Sequence, residues 1–405
     1  MAPEPPRLRD RPAVLAAVWT LSFFASAYEI VPASIAPPLQ TQLGVDATAV
    51  GWLVGVMFAV PIVWSLPVGW LLGRVSLRDA LVAAGLILGI AGVAGWHYTR
   101  RGAYLPLLAT RALGGMGFVL MWNSALETYG RFRNRATATG LFIASSPIGF
   151  ALGHVTGPVL AEAVGVGVPF LAYSLLLALP IAGLLVTGHR IPRVADDGAE
   201  TPSAEMFAAL AGNRALATVC VLGFVSYSLY LFVNSWMPSY LNTHLGFSLT
   251  RSGLLIALFP LVGALSRTAG GVVADRAFDG RRRPVVLITF VATALLVGAL
   301  SISRGIAVVT LALLGSGFFV QLSLGLFYSY VPELLPADRV SGGIAVLTTV
   351  SMTGAFSAPV VAAWLLERFG SYAVPFGYAV GLAIVGVVVA WAFAEPGGRE
   401  RERAR

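Results

Sequence analysis

The sequence predicts an all-α integral membrane protein whose twelve transmembrane helices form two six-helix parallel repeats, and three observations carry that prediction. Composition comes first: 11 % of the 405 residues are charged and 57 % hydrophobic, at a mean hydropathy of +0.81. Soluble domains carry roughly 25 % charged residues, so this chain lacks the polar side chains to cover a water-facing surface. The second observation is run length. A helix needs about 20 apolar residues to cross hydrocarbon; only helices and closed barrels satisfy their backbone groups in lipid, and runs this long exclude a barrel. Third, short segments recur half a chain apart. LQTQLG at Leu39–Gly44 returns as LNTHLG at Leu241–Gly246, Gly51 as Gly253 and Arg74 as Arg276, all 202 positions on, while Gly157-Pro158 returns as Ala358-Pro359 at 201. A constant offset between halves of equal topology indicates parallel repeats, related by an axis along the membrane normal.

In chain order, Arg7, Arg9 and Arg11 precede an apolar run that continues to about Ile35. It outruns the apolar core of a secretory signal and reads as an uncleaved span 1, at 13–36. Span 2 (48–72) ends in the charged turn GWLLGRVSLRD, Gly69–Asp79, which leads into span 3 (79–97). Span 4 (104–126) contains Arg111 and is followed by Glu127 and an Arg-rich turn; span 5 (136–160) carries Gly153, Gly157 and Pro158, and span 6 (168–187) closes the first half, 1–188. The most polar connection, 189–213, is the expected cytoplasmic linker, and its end, from Ser203 to Leu216, has the pattern of a helix lying on the membrane surface. The second half, 214–405, holds spans 7 (214–237), 8 (250–274), 9 (284–302), 10 (305–329), 11 (340–366) and 12 (374–394).

The net charge of +8 would suggest nucleic acid in a soluble protein. Here the charges punctuate apolar runs, so the membrane accounts for them and no nucleic-acid partner is expected. An even number of spans puts both termini on one side, which collects 20 of the 27 arginines against 5 on the other; Arg111 and Arg267 lie within spans. The positive-inside bias therefore predicts cytoplasmic termini in a plasma-membrane protein. The single Cys220 excludes an intrachain disulfide.

The stretch Gly270–Arg283, GGVVADRAFDGRRR, is the most specific motif. It resembles the loop signature G-x-x-x-D-R-x-x-G-R-R of the major facilitator superfamily of secondary transporters, as Gly271, Asp275, Arg276, Gly280, Arg281 and Arg282, with one extra residue before the last glycine. The first half repeats it as Gly69, Arg74 and Arg78, with Gly73 where that family usually has Asp. The resemblance covers essentially the whole chain. It implies alternating access and a cytoplasmic gate in which Asp275, Arg276 and Arg282 hold the inner side closed, with Glu127 and Glu333 completing the charge network. Charges that only set topology are the other reading.

Ionisable side chains inside a membrane are costly and face a cavity or one another. Arg111 lies about 9 Å inside the outer end of span 4, and Glu29 about 24 Å from the inner end of span 1, at about 1.5 Å per residue. A Glu29–Arg111 pair is therefore allowed, serving either proton coupling or static structure. Arg267 sits about 12 Å above Asp275 in span 8 and calls for an anion, from a side chain or a substrate. The resemblance implies that helices 1, 4, 7 and 10 line a central cavity. Tyr28, Trp122, Asn123, Tyr227, Tyr230, Asn234, Gln321 and Tyr328, with Arg267, are then the candidate binding surface.

Gly153-x-x-x-Gly157-Pro158 resembles the glycine-proline motif of drug-proton antiporters and predicts close packing of span 5. It favours proton-driven drug or metabolite efflux, whereas Arg111 and Arg267 favour an anionic solute, the narrowly preferred reading. Nitrate is disfavoured, because Ser65 stands at the position equivalent to Arg267. The expected partners are the bilayer, a small solute and protons, with a monomeric chain and neither cofactor nor metal. A polytopic enzyme would show a catalytic cluster at one membrane face, and the 4 histidines are dispersed. A sensor would need a larger soluble domain than the linker provides, and no phosphate-binding loop supports direct ATP drive.

Overall fold

The computed structural model describes residues 12–130, 135–187, 212–279, 281–336 and 339–392. Twelve helices among them are long and apolar enough to cross a membrane. They are span 1, Pro12–Ser34; span 2, Ala47–Leu72; span 3, Leu77–Arg100; span 4, Tyr104–Gly130; and span 5, Arg135–Ala163. Span 6 runs as Val168–Leu176 and continues as Ala178–Thr187; span 7 is Arg214–Ser239, extended by a π-turn over Tyr240–His244. Spans 8 to 12 are Leu249–Ala277, Arg283–Ile302, Ile306–Leu334, Val340–Phe369 and Ala373–Ala392. Several helices outrun their apolar stretches, because helical hydrogen bonding continues past the hydrocarbon boundary. Span 10, for example, carries on through Pro332 to Leu334. The linker and most of its expected surface helix lie outside the described residues. Span 7 opens just beyond them, where Asn213 Oδ1 accepts the Leu216 amide at 3.0 Å as an N-cap.

The chain divides into two compact units, Met1–Asp197 with Leu241–Ala257, and Gly198–Tyr240 with Leu258–Arg405. In the first unit span 1 is the central element, with 67 % of its most apolar window buried against 33 % for span 6. Span 7 holds the corresponding rank among the helices of the second half, at 72 %. Outward faces keep large apolar side chains exposed, Val63, Val186, Leu265 and Ile302 among them, as lipid-facing helices do.

The recurring segments have a local structural cause. LQTQLG forms a short helix, Ala36–Leu43, ended by Gly44 at φ +63°, and LNTHLG ends on Gly246 at φ +73°. Both glycines take the left-handed turn that stops a helix, where a Cβ would be strained. Two residues later comes an N-cap: Asp46 Oδ1 accepts the Ala49 amide at 2.8 Å, and Ser248 Oγ accepts that of Arg251 at 3.2 Å. The repeat is therefore a helix stop followed by a helix start, once in each half.

Glycines set the closest helix approaches. In the first unit, a Cβ on Gly149 would collide with the Phe23 carbonyl, one on Gly153 would lie 2.8 Å from Ala27 O, and one on Gly157 would lie 2.7 Å from Ser34 Oγ. Spans 1 and 5 thus pack backbone to backbone at Gly149 and Gly153, and at Gly157 the Ser34 side chain fills the gap. Spans 2 and 4 approach at Gly115, where a Cβ would sit 3.3 Å from Met57 Cα. In the second half Gly317 of span 10 lies against Phe259 of span 8, each partner 202 positions beyond its counterpart.

Candidate functional site

Two arginines within spans organise the polar interior, one in each unit. Arg111 of span 4 is fully buried. Its Nε donates to Leu53 O at 3.0 Å, Nη1 to Tyr28 O at 3.1 Å and Nη2 to Glu29 O at 2.5 Å, and the guanidinium lies 4.7 Å from the Tyr28 ring centre. The sequence explains one acceptor directly. Pro32 lies within span 1 and has no N–H, so the Tyr28 carbonyl four residues earlier has no helical donor and is open to Arg111. Each nitrogen position of the side chain is thereby engaged by backbone.

Glu29 is 3 % exposed beside this anchor. It meets Arg111 through its backbone carbonyl; among the described residues no hydrogen bond or ion pair reaches its carboxylate. The geometry allowed by helical rise is realised as proximity, and the guanidinium charge is spread over three carbonyl dipoles instead of a carboxylate. Tyr28 is buried under Arg111 and edge-on to Phe170 at 6.1 Å.

Arg267 of span 8 is built differently. It is half-buried, its Nε donates to Gln321 Oε1 at 2.9 Å, and its guanidinium lies 4.9 Å from the Tyr230 ring centre. Its two terminal nitrogens make no hydrogen bond to a described residue. The structure brings Arg267, Gln321 and Tyr230 together, and Tyr230 continues the stack onto Phe259 at 6.0 Å. Tyr227 is half-buried one turn from Tyr230, and the Tyr328 hydroxyl lies 3.4 Å from Thr348 Oγ1, which itself donates to Ile344 O at 2.8 Å. Asn234 donates to Tyr230 O at 2.8 Å within its own helix, and Trp122 packs on Phe118 and Phe142 with Asn123 half-buried beside it. Sequence reasoning missed Phe259, Gly263, Leu53 and Pro32. Only Pro32 carried a readable signal, as a proline four residues after Tyr28.

At the arginine-rich turn of the second unit, Arg282 pairs with Glu333 and lies over the Tyr330 ring at 5.1 Å. Asp275 and Arg276 are exposed at the end of span 8, and no ion pair joins either to another described residue. Gly271 lies in that helix, one turn before Asp275. In the first unit Arg74 folds back on Trp70, 3.7 Å from its ring centre, with Nη1 on Trp70 O at 3.0 Å. Arg78 donates to Leu184 O and Leu185 O, holding the end of span 6. Gly69 is exposed with open space around it, Gly73 has an ordinary helical φ of −66°, and Glu127 is half-buried at the end of span 4. His154 is buried within span 5.

Twelve apolar helices, an internal repeat and arginines set within the spans define a polytopic membrane carrier. The sequence profile of the Major Facilitator Superfamily matches residues 18–332 and 233–405. The chain belongs to that family and is a multi-pass membrane transporter, not an enzyme. It is 25 % identical to the "Probable sulfoacetate transporter SauU" of Cupriavidus necator, over 94 % of this chain and 93 % of that protein. It is also 25 % identical to the "Nitrite extrusion protein" of Bacillus subtilis, over 90 % and 83 %. Among solved structures, a point mutant of the nucleoside transporter NupG superposes with a TM-score of 0.79 at 13 % identity, covering 94 % of this chain and 99 % of that one; at that identity the likeness shows the fold alone.

Proposed function

We propose that the chain is a secondary active transporter of small organic anions, with Arg267 as the group that recognises the anion and Glu29 as the proton-carrying site. The observation that carries this reading is the half-buried Arg267, with Nε engaged and its terminal nitrogens unclaimed among the described residues. A guanidinium edge in that state is a two-pronged donor for a carboxylate or sulfonate. Two relatives bear the names of transporters of anions, sulfoacetate and nitrite, which supports the same direction. Arg111, with a carbonyl on each of its three nitrogens, is a fixed positive neighbour for Glu29 and no part of the solute site. A carboxyl so buried, with no bonded partner among the described residues, gains and loses a proton without breaking structure.

The reading includes two halves, 1–188 and 214–405, joined by the linker 189–213. It also includes cytoplasmic termini in the plasma membrane, a monomeric chain, and an inner latch centred on the Arg282–Glu333 pair with Asp275, Arg276 and Arg74 at the same cytoplasmic turns. The test is uptake into proteoliposomes under an imposed pH gradient, screening sulfoacetate, tartrate and cationic drugs. Accumulation of an anion that collapses with the gradient supports the reading. Gradient-driven movement of the cationic drugs alone would replace it with efflux.

A further inference from the structure

Resting on the assignment of Arg267 as the anion-recognising group, we propose that Gln321 is a positioning residue that aims Arg267 at a planar two-oxygen edge, and is no part of the solute-lining surface. Three tiers join spans 8 and 10: Phe259 with Gly317, Gly263 with Gln321, and Arg267 with Gly325. Every pair is 58 positions apart, so the helices run in parallel and in register over two full turns. In the outer two tiers a glycine of span 10 lies against backbone of span 8; a Cβ on Gly317 would collide with Phe259 O, and one on Gly325 with Arg267 O. In the middle tier the glycine is on span 8, and a Cβ there would overlap the Gln321 amide. Gln321 is thus seated in a notch, with 0 % of it exposed.

Its two neighbours permit one orientation. Nε2 donates to Phe259 O at 3.1 Å, and Oε1 accepts from Arg267 Nε at 2.9 Å. A flipped amide would set oxygen against the Phe259 carbonyl and NH₂ against the guanidinium. The acceptor is neutral, so it fixes Arg267 Nε without cancelling the positive charge. Tyr230 fixes the plane from one face. What remains unclaimed among the described residues is the fork of Nη1 and Nη2, whose geometry matches two coplanar oxygens of a carboxylate or two oxygens of a sulfonate. Arg111, with all three nitrogen positions on carbonyls, shows the alternative fate of a buried arginine.

The experiment measures sulfoacetate and tartrate uptake kinetics in proteoliposomes for the wild type, Gln321→Met, Arg267→Ala and the double variant. Methionine keeps the length of the side chain and removes both hydrogen bonds. The expected result is a KM raised about tenfold with Vmax within about twofold, the loss of one charge-assisted alignment. The double variant is expected to be no worse than Arg267→Ala alone, because Gln321 acts through that side chain. Gln321→Glu places a carboxylate on Arg267 and is expected to abolish uptake, with a lowered thermal midpoint because its second oxygen faces the Phe259 carbonyl. A Gln321→Met KM within twofold of wild type, or losses that multiply in the double variant, would overturn the inference while the anion assignment stands. A KM unmoved by Arg267→Ala, or no uptake of either probe by the wild type, overturns the anion assignment and this inference with it.

Discussion

Arg111 and Arg267 are one side chain in two settings, and their hydrogen bonds separate their roles. Arg111 links spans 4, 1 and 2 through three carbonyls, so Arg111→Lys, with a single point charge, is expected to lower stability by about 2–4 kcal/mol. The check is the thermal midpoint in detergent, where Arg267→Lys should stay near wild type. Glu29→Gln is expected to fold normally, since no bond of the carboxylate to a described residue is lost. It should retain solute exchange across proteoliposomes yet lose accumulation driven by a pH gradient; retained accumulation would remove Glu29 from coupling. The depth of both residues was legible from the rise of a helix. Their manner of meeting was not, because it depends on a carbonyl freed by Pro32 and on which helix faces bury.

Between elements, the decisive residues are glycines. Gly149 and Gly153 let span 5 touch the span 1 backbone while Gly157 admits the Ser34 side chain, and Gly149→Val is expected to cost at least the about 1–3 kcal/mol typical of overpacking. Folded yield after detergent extraction should fall accordingly. Gly73→Ala is the control: its nearest contact would be Trp70 O at 3.6 Å, so yield should not change. The spacing of Gly153 and Gly157 announced close packing of span 5 in the sequence, but not span 1 as its partner. The span 8–span 10 notch gave no such signal, because its glycines alternate between two helices and only the fold brings them into register. The family signature was legible despite one extra residue in the second half and Gly73 in the first, but the contacts at its turn were not. Asp275 and Arg276 are exposed, and the ion pair forms between Arg282 and Glu333, which are 51 residues apart.

For the whole molecule, twelve spans and a duplicated plan followed from apolar run length and a constant offset, and the left-handed Gly44 and Gly246 show why the most similar segments had to stay alike. Orientation is testable because the single cysteine, Cys220, is buried. In a Cys220→Ala background, Arg304→Cys should react with an impermeant maleimide in intact cells, and Arg281→Cys only after permeabilisation; the reverse pattern would invert the topology. Anion recognition by Arg267 is the proposal on which the others turn. Its most direct measurement is sulfoacetate uptake by wild-type and Arg267→Ala protein in proteoliposomes with a pH gradient imposed. Loss of a charged bidentate contact predicts a KM at least about tenfold higher in the variant, with folding intact. Equal KM values for the two proteins would contradict it.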